Sequence, residues 1–354
     1  MSLQFRPSAR DVATVGFLVG RILVAVGVTM LVPAALGLVL GEVDAAAALL
    51  IGASTAVVIG CCGEIWLPRH HDVRWSDGMV AAGLSWLAAP LVGAIPLFLS
   101  GHFPQFLDAY FDAMSGFTTA GLSTVNDVDH LPNSINLWRH LMQFLGGQGL
   151  VLLALTFFAG GGGAVGMYAG EAREDKILPN VRRTAQFIWR ASLVYFAFGA
   201  TALWIALVHA GLDVGGAVFH AVNLFFAAFD TGGFSPRSAS IGYYHSAAVE
   251  GVLVVLMVAG ALSFAVHHVL WQGRGRELLL NIETRVLAAT LSLAILMAAV
   301  GLARSGVYVE PVSLFRRGVF QVVSAHTGAG FSTIPGPLFA TGGGCWLRAR
   351  WCWR

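Results

Sequence analysis

The chain has 354 residues, of which 56% are hydrophobic and 11% charged, and its formal net charge is +2. An ordinary soluble domain carries about 25% charged residues, so a soluble globular fold is excluded, and the mean hydropathy of +0.73 agrees. The arginines are scattered through short loops, which excludes the clustered basic face that nucleic-acid phosphates need.

What remains is an all-α polytopic membrane protein. Its apolar runs recur at lengths that cross about 30 Å of hydrocarbon. The first run is Ala13–Leu40, interrupted by Arg21, which marks a cytoplasmic end or faces the bundle interior. It is longer than the core of a signal peptide and reads as an uncleaved first membrane helix. The second run is Ala45–Cys62, followed by a polar loop, and the third is Met79–Leu99. Cys61 and Cys62 read as buried thiols, because no cysteine spacing resembles a zinc site.

After Gly101-His102-Phe103-Pro104 the pattern changes. Pro104–Phe117 is apolar but only about 20 Å long as a helix, so it enters a membrane without crossing it. A polar stretch returns the chain to the surface, and Leu137–Phe158 spans again, ended by Gly160–Gly163 and a charged loop. The order then recurs. Phe187–Val208 spans, Ala217–Phe229 dips in, and Ala247–Leu270 spans back. A charged linker runs from Gln272 to Arg285, Val286–Ala303 spans, and Val312–His326 dips in.

Each short apolar piece ends in a related loop. The first reads Phe117-Thr118-Thr119-Ala120-Gly121-Leu122-Ser123, the second Phe229-Asp230-Thr231-Gly232-Gly233-Phe234-Ser235. The third reads His326-Thr327-Gly328-Ala329-Gly330-Phe331-Ser332. Irregular backbone at membrane depth is tolerated only inside protein or along a wet cavity, so these read as re-entrant pore loops. Glycine at Gly121, Gly233 and Gly330 lets successive carbonyls aim at a common axis, where they can replace a cation's water shell. Thr118, Thr119, Thr231 and Thr327 support the loop or add oxygen ligands. Each half-helix points its partly negative C-terminus inward, which favours a cation.

Positively charged loops fix one orientation. With the N-terminus in the cytoplasm, the loops of Arg69 and Arg74, of Arg173 to Arg183, and of Arg274 to Arg285 all fall inside. Arg139, Arg237, Arg304, Arg316 and Arg317 fall outside, and all three pore loops enter from outside. Asp108, Asp112, Asp127, Asp129 and Asp213 lie on the outer approaches, where they concentrate cations or are simply solvated loop ends. Asp230 contributes directly to the ion path, or turns away and hydrogen-bonds to its loop. Gly146-Gly147-Gln148-Gly149 reads as helix packing. His326 caps or hydrogen-bonds the third half-helix. The histidines form no convincing metal site, and no nucleophile, base and orienting acid are grouped, so an enzyme is not expected.

These stretches resemble the pore loops of the Trk/Ktr/HKT family of potassium transporters, most closely its TrkH-type membrane subunits. The likeness runs from Arg10 to Gly336 and rests on Asp108–Thr124, Leu137–Gly149, Gly232–Ser235 and Ala239–Tyr244. It implies helix–pore loop–helix repeats around a pseudo-fourfold pore in the inner membrane of a bacterium, passing potassium inward as flux or symport without a cofactor. It also implies a homodimer and a cytosolic, nucleotide-binding regulatory subunit of TrkA type. Filter roles are carried onto Thr118, Thr119, Ala120 and Gly121, onto Asp230, Thr231, Gly232 and Gly233, and onto Thr327, Gly328, Ala329 and Gly330.

The expected division is two N-terminal helices in 1–77, pore repeats in 78–183 and 184–284, a partial third repeat in 285–340 and an aberrant tail in 341–354. The family pattern calls for four loops, and three are present. The tail, too short and basic to span, looks like truncation or out-of-frame translation. The alternative is therefore a truncated, non-conducting membrane protein or an assembly partner.

Overall fold

The computed structural model describes residues 8–66, 74–125, 127–150, 167, 181–305 and 311–333. The end of the fourth apolar run, Gly160–Gly163, most of the charged loop behind it and the tail 341–354 lie outside the described residues. All regular structure among the described residues is helical. The chain divides into two compact units, 1–195 and 196–354.

In the first unit, α1 (Ala9–Leu40) opens on a capping box. Ser8 Oγ accepts from the Asp11 N–H at 3.2 Å, and the Asp11 carboxylate accepts from the Ser8 N–H at 3.0 Å. It closes at Gly41, left-handed at φ 75°, with the Glu42 N–H returning to the Gly37 carbonyl at 2.8 Å. That turn sends α2 (Val43–Trp66) back along α1. Small residues let the two backbones meet: a Cβ added at Gly20 would lie 2.7 Å from the Gly60 carbonyl oxygen. Arg21 does not stand alone in this pair, because its Nε meets the Glu64 carboxylate at 3.0 Å and its guanidinium covers the Phe17 ring.

Helix α3 (Trp75–Leu99) packs on both. The half-helix α4 (Phe106–Phe117) has 12 residues, about 18 Å, too short to cross. Helix α5 (Asn133–Gln148) is started by a carboxylate from elsewhere: Glu42 accepts from the Asn133 and Ser134 N–H groups at 2.8 and 2.9 Å. The span expected over Leu137–Phe158 is described only to residue 150, and within that part it is interrupted. Helix α5 stops at Gln148, because Gly149 takes φ 100° and ψ 110°, which leaves the helical region.

Helix α6 (Val181–His209) runs across the division of the chain. In the second unit, Asp213 caps α7 (Val214–Phe229) by accepting from the Gly216 N–H at 2.8 Å. After the loop come a 3₁₀ turn (Ser240–Tyr244), α8 (Ala247–Ala261) and α9 (Phe264–Trp271). The single span expected over Ala247–Leu270 is in fact bent by 103° between α8 and α9. The short α10 (Gly275–Leu280) occupies the expected linker and leads into α11 (Ile282–Ser305) and α12 (Pro311–Thr327). Glu283 of α11 holds the bend by accepting from both the N–H and the hydroxyl of Ser263 at 2.7 Å.

Among the described residues, helices α1, α2, α3, α6 and α11 are long and apolar enough to cross a membrane, and the bent pair α8 and α9 makes a sixth crossing if counted as one.

Candidate functional site

The three loops share one backbone path. Thr119 is left-handed at φ 54° and Gly121 at φ 71°; Thr231 at φ 50° and Gly233 at φ 74°; Gly328 at φ 83° and Gly330 at φ 76°. The residues between them, Ala120, Gly232 and Ala329, have no positive φ. Alternating hand returns successive peptide planes to the same tilt, so amides collect on one side of the strand and carbonyls on the other. The amides turn back onto the half-helix. Thr119 N–H donates to the Gly116 carbonyl at 3.0 Å and Ala120 N–H to Ser115 at 2.9 Å. Thr231 and Gly232 repeat this on Ala228 and Ala227 at 3.2 and 2.8 Å, and Gly328 on Ala325 at 3.3 Å. In the third loop the second bond runs from the Gly330 N–H to the Ser324 carbonyl at 3.2 Å. In the first two loops the pair is the double bond of a Schellman cap, whose left-handed position usually holds glycine. A β-branched residue there is an outlier, and strain of this kind costs about 1–2 kcal/mol at each of Thr119 and Thr231.

Two threonine hydroxyls have supporting roles. Thr118 Oγ1 donates to the Met114 carbonyl at 2.8 Å and Thr327 Oγ1 to the Val323 carbonyl at 2.9 Å. Asp230 caps the C-terminus of α7 and is 8% exposed, the position that Thr118 holds on α4.

Glycine admits the neighbours that hold each loop. A Cβ on Gly146 would lie 1.7 Å from the Phe117 carbonyl oxygen, and one on Gly260 would lie 1.8 Å from that of Phe229. The packing expected for Gly146 is therefore what is found, and it has a twin behind the second loop. Loops two and three touch directly, since a Cβ on Gly233 would lie 1.7 Å from the Ala329 carbonyl oxygen. Beyond them Gly242 N–H donates to the Ser332 carbonyl, and Ser332 N–H to Ser240 Oγ, both at 3.1 Å.

Asp112, expected on the outer approaches as a cation attractor or a solvated loop end, is buried against Arg139. Asp112 is 0% exposed and Arg139 is 1% exposed, and they pair through Nε at 2.7 Å and Nη2 at 3.2 Å. Both also hold Ser123: its hydroxyl donates to Asp112 Oδ1 at 2.7 Å and accepts from Arg139 Nη2 at 2.7 Å. This triad was the site feature missed. Its available signal was an arginine inside an apolar run, which is expensive unless partnered. In the third loop, Gln321 stands eleven residues before Ser332, as Asp112 does before Ser123, and Ser332 Oγ approaches Gln321 Oε1 at 3.4 Å.

Of the other outer acids, Asp127 is bound by His130 at 2.6 Å, which holds its carboxyl below the usual range, while Asp213 is spent on the α7 cap. His326 meets Thr290 Oγ1 on α11 at 3.0 Å rather than capping its own half-helix.

A family model described as cation transport protein TrkH matches residues 53–341. The chain belongs to the TrkH family. Among its relatives, the Trk system potassium uptake protein TrkH of Halomonas elongata is 33% identical over 297 residues, 80% of this chain and 60% of that protein. An uncharacterized cation transporter of Methanocaldococcus jannaschii is 30% identical over 331 residues, covering 93% of this chain and 65% of the relative. The crystal structure of the potassium transporter TrkH from Vibrio parahaemolyticus superposes with a TM-score of 0.79 at 26% identity, covering 91% of this chain and 66% of that one. The chain thus spans less than two thirds of the length of these three relatives. It is an all-helical, multi-span membrane protein of a transporter family.

Proposed function

We propose that this TrkH-family chain carries potassium inward across a bacterial inner membrane, with its N-terminus in the cytoplasm. In this reading the narrow part of the path is backbone carbonyl oxygen from Thr118–Gly121, Asp230–Gly233 and Thr327–Gly330. The observation that carries it is the alternating-hand backbone, found at Thr119 and Gly121, at Thr231 and Gly233, and at Gly328 and Gly330. Carbonyls freed to one side can substitute for the hydration of an alkali cation. Potassium as the cargo is supported by the names of the Halomonas and Vibrio relatives. The orientation is supported by the inside arginines. A second copy of the chain and a cytosolic nucleotide-binding subunit complete the assembly in this reading, supported by the family resemblance and by the Trk system in the relatives' names.

The test is growth of bacteria stripped of their own potassium uptake on limiting potassium. Rescue by this chain, lost with Gly121→Ser at unchanged membrane level, is the expected result. No rescue by chain that reaches the membrane in full amount overturns the reading.

A further inference from the structure

We propose that Asp112 and Arg139 are positioning residues which, through the Ser123 hydroxyl, fix the lip of the first filter loop and thereby set how well it discriminates potassium from sodium. This rests on the filter reading above and deepens it.

Ser123 lies two residues beyond Gly121, where the loop leaves the carbonyl strand. Its hydroxyl is held from both sides at 2.7 Å, by a carboxylate on the half-helix and a guanidinium on the following helix. The first loop is thus anchored at both ends, by the Schellman amides behind and by the Ser123 triad in front. Selecting between alkali cations depends on where the carbonyls stand and how readily they yield.

The fold itself does not call for the ion pair. Burying two charges often stabilises no more than apolar side chains of the same volume, and the second loop has leucines at the matching positions. Phe117 matches Phe229, which puts Leu224 where Asp112 stands; Gly146 matches Gly260, which puts Leu253 where Arg139 stands. Both leucines are 0% exposed. At the same register the third loop has the neutral Gln321. Three loops with one backbone path therefore carry three kinds of side chain at this place, charged, apolar and amide. The charged one holds its serine by two bonds of 2.7 Å, where Gln321 meets Ser332 at 3.4 Å.

The experiment compares wild type, Ser123→Ala, Ser123→Thr and the double variant Asp112→Leu with Arg139→Leu, which copies the second loop. Ser123→Ala leaves Asp112 and Arg139 paired, so it tests the lip without exposing a buried charge. Two readouts are taken: rubidium against sodium uptake in cells, and the melting temperature of purified protein in KCl against NaCl. The expected result is normal membrane level, with potassium over sodium discrimination reduced about fivefold in Ser123→Ala, the equivalent of one ordinary hydrogen bond. The double variant behaves alike, and Ser123→Thr, which keeps the hydroxyl, restores the ratio. A selective wild type whose ratio is unchanged by Ser123→Ala overturns this inference and leaves the filter reading standing. A wild type that neither conducts nor melts differently in the two salts overturns both.

Discussion

Gly146 stands so close to the carbonyl oxygen of Phe117 that an added Cβ would lie 1.7 Å from it. The obstacle is backbone, which cannot rotate away as a side chain can. Gly146→Ala is therefore expected to cost about 3 kcal/mol, the upper end of ordinary overpacking. Gly260→Ala should cost as much, since its Cβ would meet the Phe229 oxygen at 1.8 Å. Melting in detergent checks this, and either alanine variant melting like the parent contradicts it.

The left-handed threonines give the opposite sign. Relieving the strain at Thr119 gains about 1–2 kcal/mol, while glycine's extra freedom in the unfolded chain takes back about 0.5–1 kcal/mol. Thr119→Gly and Thr231→Gly should each stabilise by about 0.5–1 kcal/mol on the same two scales. A lowered melting temperature would show that the threonine side chains make a bond worth more than the strain.

Gly330 and Gly233 separate strain from collision. Nothing lies within 4 Å of a Cβ on Gly330, whose φ is 76°, so Gly330→Ala carries conformational strain alone. That is about 1–2 kcal/mol. Gly233→Ala adds contact with the Ala329 carbonyl oxygen at 1.7 Å. Purified yields of the pair should rank Gly330→Ala well above Gly233→Ala, and equal yields would mean the second and third loops are not in contact.

Glu283 holds the 103° bend through two bonds to Ser263. Glu283→Ala removes a cap on the first turn of α9, a loss of about 1–2 kcal/mol. Spin labels on α8 and α9 should report a wider spread of distances in the variant. An unchanged distribution would mean that the bend is held by something other than this carboxylate.

Much of this was legible in the chain. The apolar runs of Ala13–Leu40 and Phe187–Val208 became α1 and α6, and the short runs before each loop became half-helices, because length and composition alone decide such elements in a bilayer. Gly121, Gly233 and Gly330 could be read as left-handed because glycine adopts that hand freely. Thr119 and Thr231 could not, since local preference forbids it there and only the closing cap enforces it. The bend at Leu262-Ser263 contains neither glycine nor proline at the break, and the carboxylate that bonds to it, Glu283, lies twenty residues downstream. The pairing of Asp112 with Arg139 is not legible, because sequence gives their distance in the chain, not across the 27-residue gap that the fold closes to 2.7 Å.

Under the proposed filter reading, the Schellman amides have a bearing on the sign of the charge that passes. The N–H groups of Thr119, Ala120, Thr231, Gly232 and Gly328 are already engaged by the helix stubs, so they are not available to greet a chloride or a phosphate. In the proposed filter, discrimination against anions is then wired into the peptide bonds themselves, and would survive neutralisation of the acidic side chains near the loops.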